Sequence, residues 1–148
     1  MSENDMRQHD TARHISRLVS QLYRSRRIFM NNRLKDTGIK GPSYMILTTL
    51  DRNPGSTQDA VAQLIAIDKS GIARAARELE TLGYIRRETD DENRRQNRLY
   101  LTESGRSVLP VIRESFSEWG AKVTEGMSSE QIEQVIALLE MMSENSAV

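Results

Sequence analysis

Hydrophobic residues recur at steps of three and four in six stretches of this chain, and proline, glycine and Asx signals separate them. The first stretch starts near Thr11, after a polar segment (1–10) expected to be flexible. It sets Ile15, Leu18, Val19, Leu22, Tyr23, Phe29 and Met30 on one face and Arg13, Arg17, Arg24, Arg27 and Arg33 on the other. Asp36-Thr37-Gly38 ends it. Gly41-Pro42-Ser43 opens a second helix around Met45, Ile46, Leu47 and Leu50, proline being favoured in a first turn because its missing N–H costs nothing there. Asn53-Pro54-Gly55 is a turn. Ser56-Thr57-Gln58-Asp59 then starts a short third helix, with Asp59 in capping-box register to Ser56 and Val61, Leu64 and Ile65 as core positions.

Ala66-Ile67 leads at once into Asp68, an N-cap residue for a fourth helix over 69–82. Leu79 and Leu82 form one apolar flank of that helix, Ile72 and the alanines the other, and Gly83 supplies the left-handed stop. The pattern then changes to two extended runs, Tyr84–Glu88 and Asn97–Leu101, around the polar tip 89–96. From Thr102-Glu103-Ser104-Gly105 a helical pattern returns through Val108, Leu109, Ile112, Phe116, Trp119, Val123 and Met127, with Pro110 inside it marking an expected kink. Ser128 and Gln131 stand in capping-box register ahead of a last helix carrying Ile132, Val135, Ile136, Leu139 and Met142.

Two short helices joined by so tight a link predict a helix-turn-helix, with 57–65 as the positioning helix and 69–82 as the reading helix; the hairpin makes it winged. The fold class expected is therefore mainly α with a small β-hairpin wing. Residues 41–102 form the winged lobe of a single domain spanning 11–148, and 11–36 and 103–145 are dimerisation helices. Those outer helices hold more apolar surface than so small a lobe covers, and 37% apolar residues is low for a self-sufficient monomer of 148 residues. A two-fold homodimer would place its reading helices about 34 Å apart, one turn of duplex.

Charge sharpens the picture. The formal net charge is zero, but residues 1–102 hold 18 Lys+Arg against 13 Asp+Glu, while 103–148 hold three bases against eight acids. The reading helix exposes Lys69, Ser70, Arg74 and Arg77 with no acid before Glu78, and the hairpin tip carries Arg94 and Arg95. Such a helix fits the major groove of double-stranded DNA, and the hairpin reaches a neighbouring groove. Ser43, Thr57 and Gln58, at helix starts, are candidate contacts to the duplex backbone.

Other chemistries find little support. Cysteine is absent, which removes disulfides and thiolate nucleophiles. His9 and His14 lack the further ligands a zinc site needs, so no metal or other cofactor is expected. No phosphate loop or nucleophile–base pairing marks an enzyme. No apolar run approaches the ~20 residues of a membrane span, and the N-terminus is no signal peptide, so the expected location is the cytoplasm, on the nucleoid.

Three segments, Asp68–Arg74, Leu79–Arg87 and Asn93–Gly105, together resemble the MarR family of bacterial transcription regulators, and the likeness spans nearly the whole chain. The resemblance implies an obligate dimer with winged helix-turn-helix lobes, a repressor of a pseudo-palindromic promoter site relieved by a small, often phenolic or aromatic, effector. It assigns base reading to Ser70, Gly71 and Arg74, with Lys69 and Arg77 beside them, and minor-groove insertion to Arg95, then Arg94. Tyr23, Phe29, Tyr44, Phe116 and Trp119 are the aromatics expected to wall an effector cavity. One departure stands out: Asn93 occupies the position of the family's wing aspartate. Either Asp91 or Glu92 replaces the lost brace, or the wing is looser. The alternative function is a helical dimeric interaction module, an anti-repressor or adaptor, that no longer binds DNA.

Overall fold

The computed structural model describes the backbone of residues 3–146 and the side chains of residues 7–146. Among the described residues six α-helices and three strands follow one another, with one 3-10 turn at Lys35–Thr37: α1 (Glu3–Arg33), α2 (Ser43–Arg52), β1 (Ser56–Thr57), α3 (Gln58–Ile65), α4 (Lys69–Thr81), β2 (Ile85–Thr89), β3 (Asn97–Leu101), α5 (Glu103–Val123) and α6 (Ser129–Ser146). The chain divides into two compact units, the first ending at Ser115 and the second starting at Phe116. The helix read as starting near Thr11 begins at Glu3, because the polar lead residues continue the same turn geometry.

The first unit is built on α2, α3 and α4. Ile46, Leu47 and Leu50 of α2 meet Val61 of α3 and Ile72, Ala76 and Leu79 of α4, all at or near zero exposure. Ile85, Leu99 and Leu101 of the sheet, Val108, Leu109 and Ile112 of α5, and Met30, Leu34 and Ile39 complete that core. Burying each of these side chains other than Ala76 contributes roughly 1.5–3 kcal/mol. Leu82, read as part of the apolar flank of α4, is instead 44% exposed, because the helix has ended at Thr81 and the chain is already turning. Leu64, read as a core position, likewise stands exposed on α3, where Val61 and Ala62 make the buried face.

The sheet has the order β1-β3-β2. The hairpin register pairs Ile85 with Leu101, Arg87 with Leu99 and Thr89 with Asn97. The two-residue strand β1, which the hydrophobic pattern does not announce, pairs Ser56 with Leu99 and Thr57 with Arg98. It also moves the start of α3. Thr57, not Ser56, is the N-cap, its hydroxyl accepting from the Ala60 amide at 3.2 Å. Asp59 is thereby released from the expected capping box and instead pairs with Lys69 at 3.1 Å.

Local signals at α4 and α6 behave as their sequences dictate. The Asp68 carboxylate caps α4 by accepting from the Gly71 amide at 2.8 Å. Gly83, at φ +80°, closes the same helix: its amide donates to the Glu80 carbonyl and that of Tyr84 to the Leu79 carbonyl, the paired bonds of a Schellman motif. In the second unit, Ser128 and Gln131 form the reciprocal capping box ahead of α6, at 2.9 and 3.2 Å. Helix α5 passes through Pro110 as one helical segment.

Candidate nucleic-acid interface

The exposed edge of the lobe carries the cations that the sequence singles out. Lys69, Ser70, Arg74 and Arg77 lie exposed on α4, with Asp68 exposed at its N-cap and Gly71 half-buried among them. The Asp68 carboxyl is held below its ordinary range by the Ser70 hydroxyl donating to it at 2.5 Å, then by the Gly71 amide. The Ser70 hydroxyl proton is thereby committed to the cap, and only its lone pairs remain to accept. An added Cβ at Gly71 would lie 3.0 Å from the Asp68 carboxylate and 3.2 Å from Ile67 Cγ2, so only glycine leaves this cap undisturbed. Arg77, exposed, donates from Nε to the Ala73 carbonyl at 3.2 Å.

The arginines of the hairpin divide into two groups by their partners. Arg87, half-buried, donates to Glu80 at 2.8 Å and also to the Gln58 side chain. Arg86 lies 4.6 Å from the centroid of the Tyr100 ring and pairs with Glu88. Arg98 pairs with Asp90 at 3.2 Å and donates to the Gly55 carbonyl at 3.0 Å. These three brace the wing. By contrast, no side-chain hydrogen bond or ion pair holds Arg74, Arg94 or Arg95 among the described residues.

The brace differs from the one expected at Asp91 or Glu92. Both of those side chains are exposed, whereas Asp90 is 7% exposed and faces inward. Asp90 is the first residue after β2, where the strand alternation has ended and the tip loop turns its carboxylate onto Arg98. Asn93 retains a local task, its side-chain oxygen accepting from the Arg95 amide at 3.1 Å and its carbonyl from the Gln96 amide at 2.9 Å.

The backbone-contact candidates separate. Thr57 is half-buried and keeps its hydroxyl proton free after capping. The Gln58 side-chain oxygen is occupied by Arg87. Ser43 is only 2% exposed, because α2 starts under the lobe surface rather than on it, so its hydroxyl is not offered to a phosphate. Sequence reasoning passed over Lys40, which with Gly38, Arg74, Arg77 and Leu82 lines an open cleft beside α4. A lone lysine between glycines just before the Pro42 turn was the available signal.

The aromatic set falls in both units. Tyr23, on α1, is exposed and lies 5.7 Å from the Arg26 guanidinium. Tyr44 is buried in the first unit; burial pushes its phenol above the ordinary range, with Arg26 opposing. Phe29 is half-buried in the first unit, and Phe116 and Trp119 are half-buried in the second. The Trp119 indole nitrogen is buried without an acceptor among the described residues. His14 lies 3.1 Å from an Arg17 nitrogen, and no group of three metal-ligating side chains occurs among the described residues. No helix among them is long and apolar enough to cross a membrane.

A helix-turn-helix with a three-stranded wing, flanked by long helices, defines a winged-helix class of protein. A family model described as the MarR family matches residues 37–96. The HTH-type transcriptional regulator YybA of Bacillus subtilis is 30% identical over 131 residues, covering 88% of this chain and 87% of its own. A MarR transcriptional regulator from Methanosarcina mazei Go1 is 32% identical, with 90% and 96% of the two chains covered and a TM-score of 0.85. A putative MarR family transcriptional regulator from Listeria monocytogenes, complexed with a 26mer DNA, shares the fold at a TM-score of 0.81, 22% identity and 87% and 86% coverage. The chain belongs to the MarR family, whose members are transcription regulators and not enzymes.

Proposed function

We propose that this protein is a dimeric, sequence-specific DNA-binding regulator that represses from a pseudo-palindromic promoter site. The observation that carries the reading is the division among its arginines. Those of the wing root are consumed by internal partners, whereas Arg74 on α4 and Arg94 and Arg95 on the wing tip present cations unpaired among the described residues, from two separate elements. Unpaired exposed guanidiniums contribute little to the fold and suit phosphate or base edges.

In this reading Lys69, Ser70, Gly71 and Arg74 enter the major groove, and Arg77 and Lys40 flank it on the phosphate side. Arg95 and Arg94 reach the adjoining minor groove, and Thr57 meets the backbone. The Listeria relative crystallised with DNA supports the mode at the level of fold. The dimer rests on the apolar faces left open: Ile15, Leu18, Val19, Leu22 and Ile28 of α1, and Val135, Ile136, Leu138, Leu139, Met141 and Met142 of α6 are each at least 40% exposed. Single exposed leucines are ordinary, but contiguous stripes on two long helices mark an interaction surface. For relief by an effector, the supporting feature is the Trp119 indole N–H, buried without an acceptor among the described residues.

Selection of random duplexes on the purified protein, followed by gel shifts over salt, tests the reading. A regulator enriches an inverted repeat and loses affinity steeply as salt rises. An adaptor that has abandoned DNA enriches nothing, and that outcome would replace this function with the interaction-module alternative.

A further inference from the structure

The root of the wing holds a side-chain network whose position is more telling than its strength. Asp90, 9% exposed at its side chain, divides its two oxygens: Oδ1 accepts from the Glu92 amide at 3.0 Å and Oδ2 pairs with an Arg98 terminal nitrogen at 3.2 Å. The other Arg98 terminal nitrogen donates to the Gly55 carbonyl at 3.0 Å, and the Gly55 amide donates to the Leu99 carbonyl at 3.0 Å. Gly55 adopts φ +76° and precedes β1, whose Thr57 caps α3. One carboxylate thus joins the tip loop to the turn that starts the helix-turn-helix.

The tip itself is closed by the Asp90 amide donating to the Gln96 carbonyl at 3.0 Å. Two Asx turns shape it, one from Asp90 onto Glu92 and one from Asn93 onto Arg95. Between these fixed points lie Arg94 and Arg95. A loop held at both ends by its own backbone loses little freedom on meeting a partner, which is how preorganisation raises affinity.

We propose that Asp90, acting through Arg98 and Gly55, is the positioning residue of the wing: it aims Arg94 and Arg95 at the duplex relative to α4, and it does the work that an ion pair at position 93 would otherwise do. The proposal rests on the DNA-binding reading above. Asp90 touches no nucleic acid in it; its effect passes entirely through the tip arginines.

The test is a double-mutant cycle read by fluorescence anisotropy on the selected duplex, with affinities normalised to the folded fraction. Asp90→Asn keeps an oxygen for the Glu92 amide but turns an amide toward Arg98. In the otherwise unchanged protein it is expected to weaken binding about 5- to 100-fold, the range for a misplaced arginine contact, and to flatten the salt slope by ~0.9 for each tip arginine withdrawn. In the Arg94→Ala/Arg95→Ala background the same change is expected to alter neither quantity. Equal losses in both backgrounds, or no loss in either, overturn the proposal. Where Asp90→Asn fails to fold, Arg98→Lys, which cannot span both Asp90 and Gly55, is run through the same cycle: a loss confined to the intact tip supports the proposal, and equal or absent losses overturn it. An unchanged protein that ignores duplex at low salt overturns the DNA reading instead, so the two failures are told apart.

Discussion

Gly105→Ala is the substitution whose outcome the structure fixes most sharply. Gly105 is buried in the first turn of α5, and a Cβ built there would lie 2.0 Å from the Tyr84 carbonyl oxygen. That carbonyl accepts from the Thr102 amide at 3.0 Å, while the Thr102 hydroxyl accepts from the Gly105 amide and donates to the Gly83 carbonyl at 2.6 Å. The backbone between the stop of α4 and the start of α5 is therefore locked through one glycine. Ordinary contact begins at 3.4 Å, so α5 must withdraw by over an ångström. Overpacking of this kind costs about 1–3 kcal/mol, and the strained Thr102–Tyr84 hydrogen bond adds ~1 kcal/mol. Replacing glycine by alanine inside a helix returns up to ~1 kcal/mol. The net expectation is a loss of about 1–3 kcal/mol, or roughly 3–12 °C in Tm for a chain of this length. Thermal unfolding followed by far-UV circular dichroism at one fixed protein concentration reads it directly. A Tm unchanged or raised would show that the close approach of α5 to Tyr84 is not a constraint.

Three further outcomes follow from the site and one from the open helix faces. Arg74→Ala is expected to abolish the preference for the selected sequence over random duplex, at a cost of about 1–3 kcal/mol on the specific site. Arg95→Ala is expected to weaken both duplexes alike and reduce the salt slope by ~0.9; competition gel shifts that find equal loss of preference from both changes refute this division of labour. Asp68→Asn bears on pH: a carboxyl held below its ordinary 3.8 contributes to the fold above that value and loses the contribution as pH falls through its lowered one. Acid titration of helicity should accordingly lose a component below pH 3.8 in the Asn variant, and two superimposable curves would contradict the cap. Finally, Leu139→Glu on the open face of α6, at 47% exposure, is expected to shift sedimentation toward single chains while leaving the lobe folded; an unchanged sedimentation coefficient would contradict the proposal that this face joins two chains.

What could be read from sequence was what neighbouring residues decide among themselves. Asp68, Gly83, Ser128 and Gln131 act within a few positions of where they stand, and each does in the structure what its type and spacing dictate. The hairpin followed from alternation between turn-rich ends, with β2 shifted by one residue from its expected start. Contacts across long loops stayed hidden. Strand β1 has two residues and exists only because Leu99 and Arg98 come to meet it. Three adjacent acids, Asp90, Asp91 and Glu92, look alike in a sequence; the fold sets the first against Arg98, itself tied to Gly55, and leaves the other two exposed. Ser43 and Gln58 have side chains suited to phosphate, yet burial removes one and Arg87 occupies the other. A residue's type says what it can do, and only its tertiary partners say whether it is available.

The proposed function has the arginines of α4 and of the wing tip engage one duplex together, from two chains at once. Anisotropy of a labelled inverted-repeat duplex, titrated with the unaltered protein at several salt concentrations, tests this most directly. The expected result is saturation at two chains per duplex, with log affinity falling linearly in log salt at a slope of about −0.9 for every phosphate neutralised, several in all. A slope near zero, or saturation at one chain per duplex, would contradict it.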